Sequence, residues 1–103
     1  MKIYQKLVRD RIPEIIEKSG KTCSVRRLSP EDYLQSLRTK LSEELSEYLE
    51  SGELSELADL LEVLLATAEA EGYTKEELEA VRRQKAEARG GFRERLLLEW
   101  VED

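Results

Sequence analysis

Apolar residues recur every three or four positions along most of this chain, and this spacing places them on one face of an α-helix. Residues that favour helix starts and stops give the boundaries. Pro13 in the first turn and Gly20 at the end predict a short helix over 12–19. Ser29 as the N-cap residue, followed directly by a proline, starts a longer helix that reaches about Glu50.

Two further helices are predicted in the second half of the chain. One fits residues 54–71 and is stopped by Gly72, and the other starts at Thr74 and is closed by a glycine pair at Gly90. No repeat, linker or low-complexity segment interrupts the sequence. We therefore expect residues 1–103 to form a single domain that is mainly helical.

Two segments depart from the helical pattern. Residues 22–28 alternate apolar and polar side chains, as a short strand does. The apolar residues of the tail over 92–101 satisfy both the two-residue period of a strand and the four-residue spacing of a helix. We expect a small β-hairpin formed by 22–28 and 93–99, with a helical tail as the alternative.

Acidic residues intrude on the apolar faces of the two central helices. At the helical rotation per residue, Glu44 lies only about 20° from Leu37 and therefore inside the apolar stripe. Glu47 lies at the edge of the same stripe. In the next helix, Glu56 and Asp59 flank the apolar margin. An isolated charge in such a position costs on the order of several kcal/mol, so it needs a partner.

The turn between these two helices is short, and the spacing of the acids is mirrored about it. In an antiparallel pair of helices, Glu47 lies level with Glu56, and Glu44 lies level with Asp59. Two carboxylates from each helix can therefore converge on one point, as they do in carboxylate metal sites inside helix bundles. This spacing predicts a metal site.

Composition restricts the chemistry that is available. The chain has 23 acidic and 17 basic residues, a net charge of -6, one cysteine and no histidine. Oxygen-only ligands favour Mg²⁺, with Mn²⁺ as an alternative. The negative charge argues against a nucleic-acid polymer as partner, and the absence of a long apolar run or signal-like segment favours a cytoplasmic protein without membrane contact.

A basic pair lies near the end of the last predicted helix. Lys85 occupies a position where the apolar pattern calls for an apolar residue, and Arg89 follows one turn later, next to the glycine pair. Two cations one turn apart, beside glycines that let backbone N–H groups approach a ligand, are suited to binding phosphate. Lysine side chains and glycine helix stops also occur without any such function.

Taken in order, four motifs resemble the all-α NTP pyrophosphatase superfamily, which includes MazG, dimeric dUTPases and phosphoribosyl-ATP pyrophosphatase. These motifs are YQKLVRDRIPEII at the start, KLSEELSEYL with its EExxE string, ELADLLEVL with ExxD, and KAEARGGF at the close. They are similar to one MazG-like branch that begins with a KLVRDKIPEII-type segment. The resemblance implies a MazG-like four-helix bundle with a helical hairpin bearing both acidic motifs.

The resemblance also implies an activity, namely Mg²⁺-dependent hydrolysis of a nucleoside triphosphate to monophosphate and pyrophosphate, in the house-cleaning of non-standard nucleotides. It implies metal ligands at Glu44, Glu47, Glu56 and Asp59, and phosphate contacts from Lys85 and Arg89. Glu43 or Glu47 is the candidate base. Only eight residues separate Glu47 from Glu56, fewer than in many relatives, so the substrate base stays open.

The helix over 54–71 carries leucines over a wider arc than one neighbouring helix can cover, which predicts a homodimer or a homotetramer. The arc comprises Leu57, Leu60, Leu61, Leu64 and Leu65. The alternative to an enzyme is a non-catalytic helical interaction module that binds a metal or a nucleotide. A third reading treats the acidic face as a solvated surface only.

Overall fold

The computed structural model describes residues 1–103 and contains four α-helices and no β-strand. In chain order these are α1 (Ile12–Lys18), α2 (Pro30–Ser51), α3 (Leu54–Ala70) and α4 (Lys75–Arg89). The prediction of an all-α fold is confirmed, and each boundary lies within one residue of the predicted one.

Side-chain caps explain where two of the helices begin. The Ser29 hydroxyl accepts a hydrogen bond from the Asp32 backbone N–H at 3.2 Å, which starts α2. At α4, the Thr74 hydroxyl accepts from the Glu77 N–H at 3.0 Å, and the Glu77 carboxylate accepts from the Thr74 N–H at 3.3 Å. This reciprocal pair is a capping box.

A two-residue turn reverses the chain between α2 and α3. Gly52 has φ of +68°, a left-handed conformation that glycine adopts without steric cost, and its N–H donates to the Tyr48 carbonyl at 2.7 Å. The turn folds α3 back along α2, so acids near the end of one helix face acids near the start of the other. The turn therefore sets the register of the candidate site.

The predicted β-hairpin of 22–28 and 93–99 is wrong. Neither segment forms a strand, and no backbone hydrogen bond joins one to the other. The tail is not helical either, since only a turn with an Arg95 N–H to Phe92 carbonyl bond of 3.2 Å interrupts its irregular course. An alternating pattern makes a strand only when a neighbouring backbone completes the hydrogen-bond ladder, and here none lies alongside.

Packing within the chain is concentrated between α2 and α3. The other contact between helices is that of α4 with α3, and α1 contacts none of the other helices. Leu37 and Val63 are the buried apolar residues of this interface. The radius of gyration is 18.3 Å, against about 13 Å for a compact domain of similar length. A single chain is therefore extended, and most of its apolar surface faces outward.

Several leucines of α3 are exposed within one chain, and Leu60 and Leu65 are half-buried. Leu57, Leu61 and Leu64 are 41–55% exposed, whereas Val63 is 8% exposed. The face that packs on α2 is thus the one that also carries Glu56 and Asp59, which are half-buried. None of the helices is both long enough and apolar enough to cross a membrane.

Candidate metal centre

Three of the four predicted metal ligands meet at the interface of α2 and α3. Glu44 from α2 and the pair Glu56 and Asp59 from α3 each place a carboxylate oxygen within 4.8 Å of the others. The one-turn spacing on α3 and the turn at Gly52 produce this convergence, as the mirrored spacing of the sequence predicts. We refer to Glu44, Glu56 and Asp59 as the acidic cluster.

Glu44 is the most buried member of the acidic cluster. Its side chain is 9% exposed, and its Oε2 atom has no hydrogen-bond partner. A buried carboxylate oxygen without a donor is unfavourable in a folded protein. A bound cation, or a proton on the carboxyl group, would satisfy this oxygen.

The surroundings of the acidic cluster raise the pKa values of two of its carboxyl groups. Burial raises the pKa of Glu44 above its ordinary value, and the charge of Glu47 raises it further, while the Lys40 ammonium opposes the rise. Partial burial, followed by the charges of Glu47 and Asp59, raises the pKa of Glu56. A divalent cation favours the ionised form of each and would reverse these shifts.

Glu47 lies outside the group of three but within its electrostatic reach, since its charge acts on both raised carboxyls. Its side chain is exposed, which leaves it open to solvent and ligand. Glu43 is half-buried and lines a shallow cleft of about 260 Å³ between the N-terminal segment and α2. Of the two candidate bases, Glu47 therefore acts on the acidic cluster, whereas Glu43 lies at the cleft.

Two cations that were not among the predicted site residues contact the acidic cluster. The Lys40 ammonium lies 3.6 Å from Oε1 of Glu44. Arg9 donates from Nη2 to Oδ1 of Asp59 at 2.8 Å. Lys40 precedes Glu44 by four residues, a helical spacing that the sequence displays. Arg9 and Asp59 are fifty positions apart, so no local signal connects them.

Lys85 and Arg89 lie on the last two turns of α4, and both side chains are exposed. Neither forms an ion pair within the chain, whereas the neighbouring Arg82 and Arg83 are paired with Glu79. The basic pair is therefore available to an anionic ligand. Within one chain, no contact links it to the acidic cluster.

The ligand set fits a hard divalent cation. Three carboxylates from two rigid helices supply only oxygen donors, and neither histidine nor cysteine is among them. The unpartnered oxygen of Glu44 and the raised pKa values indicate a site with too little positive charge of its own. Cations of the Mg²⁺ or Mn²⁺ type would supply it.

Comparison with known proteins finds similarity over part of the chain only. No family model matches it, and no solved structure matches it. A protein of Mycolicibacterium smegmatis, described as uncharacterized, is 54% identical over 41 residues, which are 40% of this chain and 42% of that relative. The matched stretch thus spans less than half the length of either protein.

Proposed function

We propose that this protein is a Mg²⁺-dependent nucleoside triphosphate pyrophosphohydrolase that releases nucleoside monophosphate and pyrophosphate. The observation that carries the proposal is the acidic cluster, in which two helices bring one carboxylate oxygen from each of three residues within 4.8 Å of one another, and in which Glu44 has a buried, unpartnered oxygen. The resemblance of the sequence motifs to the MazG-like superfamily supplies the reaction. House-cleaning of non-standard nucleotides is the role that this reaction would serve.

Glu44, Glu56 and Asp59 would hold the cation, with Glu47 as a fourth ligand at the rim. When bound, Mg²⁺, or Mn²⁺ in its place, would supply positive charge that polarises a phosphoryl oxygen and offsets the charge of the triphosphate. The rigid placement of the ligands on α2 and α3 would fix the position of the phosphates relative to the exposed carboxylates.

A carboxylate would act as the base, because the chain has no histidine. Glu47 or Glu43 would accept a proton from the water that attacks the α-phosphorus, while the bond from that phosphorus to the bridging oxygen breaks. The electron pair of that bond leaves with pyrophosphate. The exposure of Glu47 beside the cluster suits this role.

Lys85 and Arg89 would bind the departing phosphates. Their freedom from ion pairs supports this role, since a phosphate ligand would have no internal carboxylate to displace. Charge on these oxygens increases as pyrophosphate leaves, and nearby cations stabilise it.

We further propose that the active form is a homodimer or a homotetramer. The accessible surface of the chain is 9860 Å², whereas a folded monomer of this mass exposes about 6,000 Å². The excess is larger than the roughly 1,000 Å² per partner at which permanent interfaces begin. The exposed leucines of α3 are the central part of the surface that a second copy would cover.

A screen of nucleoside triphosphates with detection of pyrophosphate, with and without Mg²⁺, tests the proposed function. We expect turnover of at least one nucleotide that depends on the metal. Metal-dependent binding of nucleotides without any product would instead support the non-catalytic binding module. Stability that is indifferent to Mg²⁺ and Mn²⁺ would support the solvated acidic surface.

A further inference from the structure

The ion pair between Arg9 and Asp59 places a guanidinium on the acidic cluster from outside the helix pair. Only one Arg9 side-chain hydrogen bond is formed, from Nη2 to Oδ1 of Asp59 at 2.8 Å. A guanidinium has five N–H donors in a planar fork, so most donors of Arg9 are unused. Its side chain is 57% exposed, and these donors are open to a ligand.

The backbone at Arg9 is held in place at the entrance to α1. The Arg9 carbonyl accepts a hydrogen bond from the Ile12 N–H at 3.0 Å, and both Ile12 and Pro13 are half-buried. The backbone that carries the guanidinium is therefore anchored at the start of α1. By contrast, Arg11 lies two residues along, is exposed and forms no ion pair.

A cleft with basic side chains borders the acidic cluster at Lys40. The cleft of about 260 Å³ between the N-terminal segment and α2 is lined by two lysines, Lys6 and Lys40, and by one acid, Glu43, among others. Lys40 also contacts Glu44 of the acidic cluster, so the cleft borders the cluster. Positive side chains thus lie on one border of a strongly acidic site, which is the charge arrangement that a metal–phosphate complex needs.

We propose that Arg9 is a substrate-binding residue that holds Asp59 with one N–H and donates others to a phosphate oxygen of the nucleotide. Arginine is suited to this double role because its planar fork can bind a carboxylate and a phosphate at once, whereas lysine acts as a point charge. The inference rests on the proposed function. It assigns a role in substrate binding to the N-terminal segment.

Isothermal titration of the full-length protein tests this role in two steps. The first titrates Mn²⁺ alone, and the second titrates inorganic tripolyphosphate, which represents the phosphate chain of the proposed substrate without its ribose and base, in excess Mg²⁺. For Arg9→Gln, we expect Mn²⁺ affinity within about threefold of wild type and tripolyphosphate affinity reduced by at least about tenfold. Arg9→Lys should lose part of that affinity. The matched control Arg11→Gln should keep both.

Separate outcomes distinguish this inference from the proposed function. Tripolyphosphate binding that is unchanged in Arg9→Gln, together with tighter Mn²⁺ binding, would show that Arg9 only competes with the metal for Asp59 and would overturn the inference. A wild-type protein that binds neither Mn²⁺ nor Mg²⁺ would overturn the proposed function itself. Melting temperatures of the variants verify that each is folded at the temperature of titration.

Discussion

The Lys40 ammonium lies 3.6 Å from the Glu44 carboxylate, one helical turn away, and the two side chains are 22% and 9% exposed. Lys40 is the cation nearest to the most buried acid of the cluster, so without metal it offsets part of the cost of that charge. This pair links the stability of the metal-free protein to the metal affinity of the site.

Replacing Lys40 should therefore act on both properties. Lys40→Gln should lower the free energy of unfolding of the metal-free protein by about 1–2 kcal/mol, because Glu44 loses its compensating charge. The stabilisation by Mg²⁺ should increase, since the metal then supplies the positive charge that Lys40 supplied in the wild type. Denaturant unfolding with and without Mg²⁺ measures both effects. A matched control is Arg38→Gln, which breaks the more exposed pair with Glu71 and should leave the metal effect unchanged.

Metal binding should stabilise the fold by mass action. At a free Mg²⁺ or Mn²⁺ concentration a hundredfold above the dissociation constant, the gain is about 2.7 kcal/mol. Glu56→Gln should reduce this gain and leave the metal-free protein equally or more stable, because it removes one of three mutually repelling charges. Melting temperatures with and without metal check this. A variant that keeps the full metal shift would contradict the assignment of Glu56 as a ligand.

The raised pKa values of Glu44 and Glu56 predict a pH dependence with a definite sign. Each group holds a proton in the folded state at pH values where the unfolded chain has released it. Their favourable contribution to stability is fully present below the ordinary pKa of 4.5. It is lost as pH rises through the raised pKa values of the folded state. The metal-free protein should thus lose stability over that interval, and metal affinity should increase across it.

The double variant with Glu44→Gln and Glu56→Gln isolates this effect. Both groups stop titrating in it, so its melting temperature should fall less than that of wild type as pH rises from 4.5. The lowered pKa of Glu79, caused first by its hydrogen bond with Arg82, is common to both proteins and cancels in the comparison. Parallel pH profiles for the two proteins would show that the cluster does not raise the pKa values of Glu44 and Glu56.

Assembly can be tested on the exposed face of α3. Light scattering of the wild type at micromolar concentration should give a dimer or a tetramer. Leu61→Lys should give a monomer with a lower melting temperature, because Leu61 is 55% exposed within one chain and would be buried between copies. The neighbouring Glu62→Lys adds the same side chain at another exposed position and should keep the assembly. A monomeric wild type would refute this prediction.

The basic pair on α4 should contribute to substrate binding and not to metal binding. Lys85→Ala should lower kcat/KM for a nucleoside triphosphate by about 10- to 100-fold, the effect of losing one hydrogen bond to a charged group. Its melting-temperature shift with Mg²⁺ should remain. Arg82→Ala is the control, because Arg82 is already paired with Glu79. Equal activity of the two variants would remove Lys85 from the proposed phosphate site.

Local chemistry explains why the helices could be predicted from the sequence. Ser29 caps α2 and Gly52 ends it, and both signals lie within a few residues of the boundary that they set. Three members of the acidic cluster could be predicted in the same way. The position of Glu44 inside an apolar stripe and the mirrored spacing of the acids about the turn both follow from helical geometry alone. These features need no knowledge of the rest of the fold.

Features that depend on distant parts of the chain could not be predicted in this way. The strand proposed for 22–28 required a partner that the fold does not place beside it. The contact of Arg9 with Asp59 depends on how the N-terminal segment returns to α3, and no periodicity describes that path. Sequence patterns also did not reveal which face of α3 would pack on α2, because apolar residues cover most of its circumference.

Asp59→Asn shows whether the acidic cluster holds the metal that pyrophosphate release requires. Asp59 is half-exposed, so the substitution should not unfold the protein. Products from a nucleoside triphosphate in saturating Mg²⁺ should be measured for wild type and variant. We expect equal amounts of monophosphate and pyrophosphate from wild type, and a rate lower by more than about 100-fold in Asp59→Asn. Full activity of Asp59→Asn, or release of orthophosphate in place of pyrophosphate by the wild type, would contradict this expectation.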